Sequence, residues 1–203
     1  MTKRFAVLLV SLLLLIPVMS FTASAASAQY TVVPGDSLWR IAVKYKVGLS
    51  EIISVNPQIK NSSLIYPGQI VYIPDVDSAA LSYEAEVVRL VNAERAKYGL
   101  SALTSDWELA RVARYKSQNM HDLGYFSHTS PTYGSPFNMM KSFGLTYRTA
   151  GENIARGYAS AKAVVDGWMN SEGHRANILN ASFKKIGVGY VADGNYWTQM
   201  FIG

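Results

Sequence analysis

The chain carries three histidines, His121, His128 and His174, and no cysteine. Imidazole is the side chain whose ordinary pKa lets it gain or lose a proton near neutral pH. His128 follows Gly124-Tyr125-Phe126-Ser127, and His174 sits in Ser171-Glu172-Gly173-His174-Arg175, each just past an expected helix end. Glu152, in Gly151-Glu152-Asn153, adds a carboxylate beside a glycine. Ionisable residues carried on loops of a rigid scaffold are favoured functional candidates. His128, Glu152 and His174 are therefore the candidates for a cleft, and two chemistries stay open. In the first, they organise a ligand-binding or assembly surface through hydrogen bonds. In the second, His128 or Glu152 serves as general base of a hydrolase, which requires a tuned pKa and reach to a water molecule. A glycosidase would ask for two carboxylates, and Glu172 is the obvious partner for Glu152. A serine route would need Ser127 or Ser130, and neither stands in a G-x-S-x-G elbow. No H-E-x-x-H or P-loop pattern occurs. The lack of cysteine removes disulfides, zinc–thiolate sites and a thiol nucleophile. Binding or assembly is the preferred reading, with catalysis as the alternative.

The elements around these residues span 82–203. Ser82 is placed to cap a helix with Glu84 and Glu86 near its positive end. Ser105-x-x-Glu108 has the capping-box pattern, and Leu109, Val112, Ala113 and Met120 follow one helical face behind it. Ser135-Pro136 opens a third helix, with proline at its first position. Ser160 to Asn170 reads as a fourth. The period then changes. Ile186 to Val191 and Tyr196 to Phe201 read as strands, and Asp193-Gly194-Asn195 makes them a hairpin. Helices first and strands last argue for an α+β fold.

A smaller unit precedes it, over 29–74, joined by a short polar linker at 75–81. Tyr30 to Val33 is a β-type run, punctuated by Pro34-Gly35. Leu38, Ile41, Ala42 and Tyr45 share a helical face that Gly48 ends. Ser50 is placed to cap a second helix, which Asn56-Pro57 stops. Tyr66-Pro67-Gly68-Gln69 fits a type II turn, with Pro second and Gly third. Ile70 to Ile73 closes the unit, giving the order β-α-α-β.

Residues 1–28 read as a secretory signal. Lys3 and Arg4 are its positive start, and Phe5 to Ile16 is an apolar run of about a dozen residues, short for a membrane span. Ala26-x-Ala28 places cleavage before Gln29. Removing Lys3 and Arg4 takes the formal charge from +5 to +5 − 2 = +3. That mild balance suits a place near anionic wall polymers and gives no argument for nucleic acid. No other stretch is apolar and long enough for a membrane span, so none is expected in the mature protein. Thirteen tyrosines supply flat apolar faces with polar tips.

Two resemblances follow from these motifs. Tyr30-Thr31-Val32-Val33-Pro34-Gly35-Asp36-Ser37-Leu38, Ile41-Ala42, Asn56-Pro57 and Ile65-Tyr66-Pro67-Gly68-Gln69 with Ile73-Pro74 resemble a LysM domain. The resemblance implies binding of an N-acetylglucosamine polymer, peptidoglycan or chitin-like. The implied groove positions are Gly35, Asp36, Ser37, Leu38, Ile65, Tyr66, Pro67 and Gly68. In the second unit, Asn92-x-x-Arg95, Tyr125-Phe126-Ser127-His128, Gly151-Glu152-Asn153, Ser171 to Leu179 and Trp197-Thr198-Gln199 resemble the CAP superfamily, the SCP-like extracellular domain. It implies an α-β-α sandwich with a central antiparallel sheet and a large cleft. In many eukaryotic members two histidines and two acids line that cleft and can hold a divalent cation such as zinc. His128 and Glu152 match two of those four. Asn138-Met139 and Tyr196 stand where the others are expected, so the cation has a thin ligand set and no cofactor is fixed. Together the resemblances imply an extracellular, wall-associated protein, with the spore envelope as one such setting and wall or spore-coat proteins as partners.

Overall fold

The computed structural model describes residues 26–203, and the expected signal segment lies outside them except for its last three residues. Ala26-Ser27-Ala28 enter the first strand, β1 (Ala26–Thr31). It is followed by α1 (Leu38–Tyr45), α2 (Leu49–Ser54) and β2 (Ile70–Pro74). β1 and β2 pair antiparallel, and Gln29, Tyr30 and Thr31 face Tyr72, Val71 and Ile70. Strands, helices and loop close on one small core of Val32, Leu38, Ile41, Ala42, Val47, Ile52, Val71 and Ile73. Ser37 caps α1 by accepting from the Arg40 N–H, as its residue type favours. Two expected boundaries move. Lys46, with φ of 55°, ends α1, and Gly48 rather than Ser50 precedes α2, without a side-chain cap. Asn56 explains its place before Pro57. It is buried, donates to the Ile52 and Tyr72 carbonyls and accepts from the Tyr72 N–H, stitching α2 to β2.

The larger unit runs α3 (Ser78–Lys97), β3 (Thr104–Ser105), α4 (Trp107–Asp122), α5 (Pro136–Ser142), β4 (Ala150–Arg156), α6 (Ala161–Met169), α7 (Glu172–Ile178), β5 (Lys185–Val191) and β6 (Tyr196–Ile202). Its sheet has the order β3-β5-β6-β4, antiparallel except for the short parallel β3–β5 pair. α3, α6 and α7 pack on one face, against Ile186, Val188, Trp197 and Phe201. α4 and α5 pack on the other, against Met200 and Ile202. The alternation follows from the two-residue repeat of a strand. Gly187 and Gly189 leave β5 bare where α4 crosses it. A Cβ on either would overlap the α4 backbone, at Leu109–Ala110 and at Ala113–Arg114.

Three sequence expectations are corrected here. α3 begins at Ser78, capped by Asp77, so most of the expected linker is helical and Ser82 lies inside the helix. Asp106, not Ser105, caps α4, because Ser105 is held in β3 beside Ile186. The segments around Glu152 and His174, expected as loops, are β4 and α7. Both are short, and their polar residues hide their period.

Candidate functional site

β4 is one of the two edge strands of the four-stranded sheet. Glu152 sits on it opposite Met200, so its side chain turns toward the α4 layer. The carboxylate is 1% exposed, and its Oε1 lies 2.7 Å from Nδ1 of His128, whose side chain is 52% exposed. The carboxylate holds one imidazole nitrogen, and His128 Nε2 has no hydrogen-bond partner among the described residues. Glu152 Oε2 is buried without a partner.

The His128 loop is held from beneath by Lys116. This lysine is fully buried, and its ammonium donates to the carbonyls of Ser127 at 2.7 Å and His128 at 2.8 Å. Burial pulls the Lys116 pKa down, and the charge of Glu152 opposes that, leaving it below the usual 10.5. Lys116 therefore clamps the loop and supplies a buried positive charge within reach of Glu152. Sequence reading missed it. The signal was present: Leu109, Val112, Ala113 and Met120 define the buried stripe of α4, and Lys116 falls on that stripe.

On the opposite face of β4, Asn153 pairs in register with Gln199. Its amide donates to Gln199 Oε1 at 2.9 Å and to the His174 carbonyl at 3.1 Å. Asn177 donates to Asn153 Oδ1 and to the Glu152 carbonyl at the sheet edge. Arg95, buried on α3, donates to the carbonyls of Ile178 and Asn180 and fixes the end of α7. These bonds bring His174 to the same edge from the other layer. Burial first, and then the charge of His128, hold the His174 pKa below the usual 6.5. His128 and Glu152 are thus brought together, and the His174 backbone is tied to β4 at Asn153. His174, however, is on a helix and Glu152 on a strand, not on loops. His121 stands apart, on Asp122 and Asp193 at the β5–β6 hairpin.

The arrangement can bind a ligand through hydrogen bonds. Neither nearby serine is poised as a nucleophile. Ser130 Oγ donates to Asn119 and accepts from the Thr132 and Tyr133 N–H groups, and Ser127 Oγ accepts from the Thr129 N–H. Glu172 is exposed in the first turn of α7. Of the four positions that the resemblance implies for a cation, His128 and Glu152 lie together. Met139 is buried in the core, Tyr196 packs with Met120 and Ile154, and among the described residues no three of His, Asp, Glu and Cys gather as ligands. Zinc takes three or four such donors.

The other candidate surface is at the start of the chain. The loop after β1 and the loop before β2 are joined by bonds from the Gly68 N–H to the Val32 carbonyl and from the Val32 N–H to the Gln69 carbonyl. Gly35 and Gly68 have φ of 89° and 87°, so the turns use the left-handed region. Asp36 accepts from the Tyr30 hydroxyl at 2.7 Å and the Val33 N–H at 2.9 Å, which holds the first loop. The Val33 bond, then the Tyr30 bond, put the Asp36 pKa below its usual value. Ser37, Pro67 and Tyr66 are exposed, Tyr66 at 60%, and Ile65 is partly buried. Leu38 is corrected: at 1% exposure it is a core residue, because it begins the buried face of α1.

Comparison with known proteins adds the following. The model of the cysteine-rich secretory protein family, CAP, matches residues 88–201, and that of the LysM domain matches residues 30–74. The YkwD protein of Bacillus subtilis (strain 168) is 61% identical over 126 residues, which cover 62% of this chain and 49% of YkwD. The membrane protein YlbC of the same organism is 42% identical over 119 residues, 59% of this chain and 34% of YlbC. Among solved structures, an extracellular protein containing an SCP domain from Bacillus anthracis aligns with a TM-score of 0.59 and 35% identity, over 67% of this chain and 47% of that one. The chain spans about half the length, or less, of these relatives.

Proposed function

Because the chain belongs to the cysteine-rich secretory protein family and carries a LysM domain ahead of that unit, we propose that it is a secreted, wall-associated protein with two binding surfaces. The LysM unit grips N-acetylglucosamine-containing peptidoglycan through the paired loops at Gly35–Ser37 and Ile65–Gly68. The CAP unit binds a separate ligand, or an assembly partner of the wall or spore envelope, at the edge formed by His128, Glu152 and His174. The observation that carries the first half is the pairing of Val32 with Gly68 and Gln69, which sets two exposed turns side by side. Backbone groups of such turns and the face of Tyr66 suit an N-acetylated sugar. No helix among the described residues is long and apolar enough to cross a membrane. The test is sedimentation with insoluble peptidoglycan. The full chain should pellet, and a chain beginning at Ser78 should stay in solution. Equal retention of both would overturn the proposal.

One observation favours the hydrolase reading: Glu152 holds His128 by Nδ1, and the His128 side chain is half exposed. Against it, neither nearby serine hydroxyl is free of structural bonds. Incubation with peptidoglycan and a peptide library, beside His128→Ala and Glu152→Ala, separates the two. Turnover lost in both variants would replace the binding role by catalysis.

A further inference from the structure

The two units meet at a seam that is only partly filled. A groove of about 530 Å³ runs along it, lined from one side by Glu51, Val76 and Asp77 and from the other by Arg114, Tyr115 and Tyr190. Incomplete packing of this kind does not by itself fix one orientation, and loosely joined domains move relative to one another. What crosses the seam is specific. Arg111 on α4 donates from Nε to Glu51 Oε1 at 2.7 Å and from Nη2 to Glu51 Oε2 at 2.9 Å, and Nη2 also reaches Ser50 Oγ at 3.0 Å. The fork is the strong, directional geometry for a guanidinium and a carboxylate. The two side chains are 20% and 25% exposed, so solvent screens the pair less than a surface pair. The guanidinium also lies 5.3 Å from the Tyr115 ring and 5.1 Å from the Phe143 ring, which fixes its approach. Burial pushes the Glu51 carboxyl up, but the Arg111 and Ser50 hydrogen bonds bring it below its usual value.

Gly48 supplies an independent sign. Its φ of −78° is open to any residue. A Cβ there, however, would overlap both the Glu51 carboxylate and the Arg111 guanidinium. The position is bare where the two units touch.

We propose that Arg111 locks the LysM unit and the CAP unit into one rigid body, with α4 as the shared brace. The same helix that grips Glu51 through Arg111 grips the His128 loop through Lys116, five residues or about 7.5 Å further along. The sugar-facing turns lie at the far end of β2, roughly 13 Å from the seam at Pro74. The lock therefore leaves the glycan surface free and fixes the bearing of the cleft relative to a bound glycan.

The chain has no cysteine, so cysteines placed at exposed Ser62 and Ala159 can carry spin labels alone. In the chain from Ala26 to Gly203, the distance between them is expected as a single narrow distribution by electron–electron resonance. Arg111→Ala should broaden it at least two-fold. Gly48→Val, which removes no charge, should do the same, and Glu51→Arg combined with Arg111→Glu should narrow it again. A broad distribution in the unaltered protein, or an unchanged width in Arg111→Ala and Gly48→Val, would overturn the lock.

Discussion

The two proposed binding surfaces are built in opposite ways. The LysM surface is made from turns close in sequence to their strands, and its chemistry is largely backbone. The proposed CAP surface draws on groups from distant parts of the chain: Lys116 on α4 holds the His128 loop, Glu152 on β4 bonds the His128 ring, and the His174 carbonyl on α7 accepts from Asn153. A backbone site needs its turns and a small core. A side-chain site needs the whole sandwich in place. Damage should therefore stay within one unit, and its severity should follow how much packing the altered residue supports.

The largest expected effect is Gly189→Val. Its side chain would enter the α4 backbone at Ala113–Arg114, and overpacking of this kind costs about 3 kcal/mol or more. Urea unfolding should show a weakened CAP transition, while peptidoglycan retention persists. Asn56→Ala is the reciprocal experiment. It removes the three hydrogen bonds by which Asn56 links Ile52 on α2 to Tyr72 on β2, and about 3 kcal/mol should leave the small LysM unit. Retention on peptidoglycan should fall while the NMR signals of His128 stay in place. If either change damages both units equally, the separation drawn here is wrong.

Lys116→Met comes next. It strands the Ser127 and His128 carbonyls and removes the buried charge near Glu152, for a cost of about 2 kcal/mol. Calorimetry should register it, with the 125–128 loop losing its protection against hydrogen exchange. Tyr66→Ala touches no core, and should weaken glycan retention by about 1 kcal/mol, or roughly five-fold, without changing stability.

The smallest effect is the pH response of His174. Its folded pKa lies below 6.5, so the native state binds fewer protons there than the unfolded chain. The stability it contributes is present above pH 6.5 and is lost as pH falls through the folded value. His174→Gln should flatten that part of the stability profile, and an unchanged profile would count against the placement of His174.

The same contrast explains what could be read from the chain beforehand. The LysM unit was legible almost throughout, because a turn announces itself by Pro67 and Gly68 and a helix face by its period. The misjudged LysM site residue, Leu38, lies beside the turn in sequence but on the inner side of α1. In the CAP unit, the hairpin and four helices were legible by the same signals. β4 and α7 were not, since Glu152-Asn153 and Glu172-Gly173-His174 show no apolar repeat and are stabilised by the partners they meet after folding. Lys116 escaped notice because a lysine is ordinarily solvated, and only the stripe it interrupts betrays it. Motif resemblance supplied the convergence of His128 with Glu152, which spacing along the chain could not.

The central claim is that glycan binding resides in the first unit and is independent of the cleft. Its most direct test is quantitative retention on insoluble peptidoglycan of the unaltered chain, Tyr66→Ala and the double variant His128→Ala with Glu152→Ala, side by side. The account predicts about a five-fold loss for Tyr66→Ala and none for the double variant. Full retention by Tyr66→Ala, with loss in the double variant, would place the glycan at the cleft and contradict it.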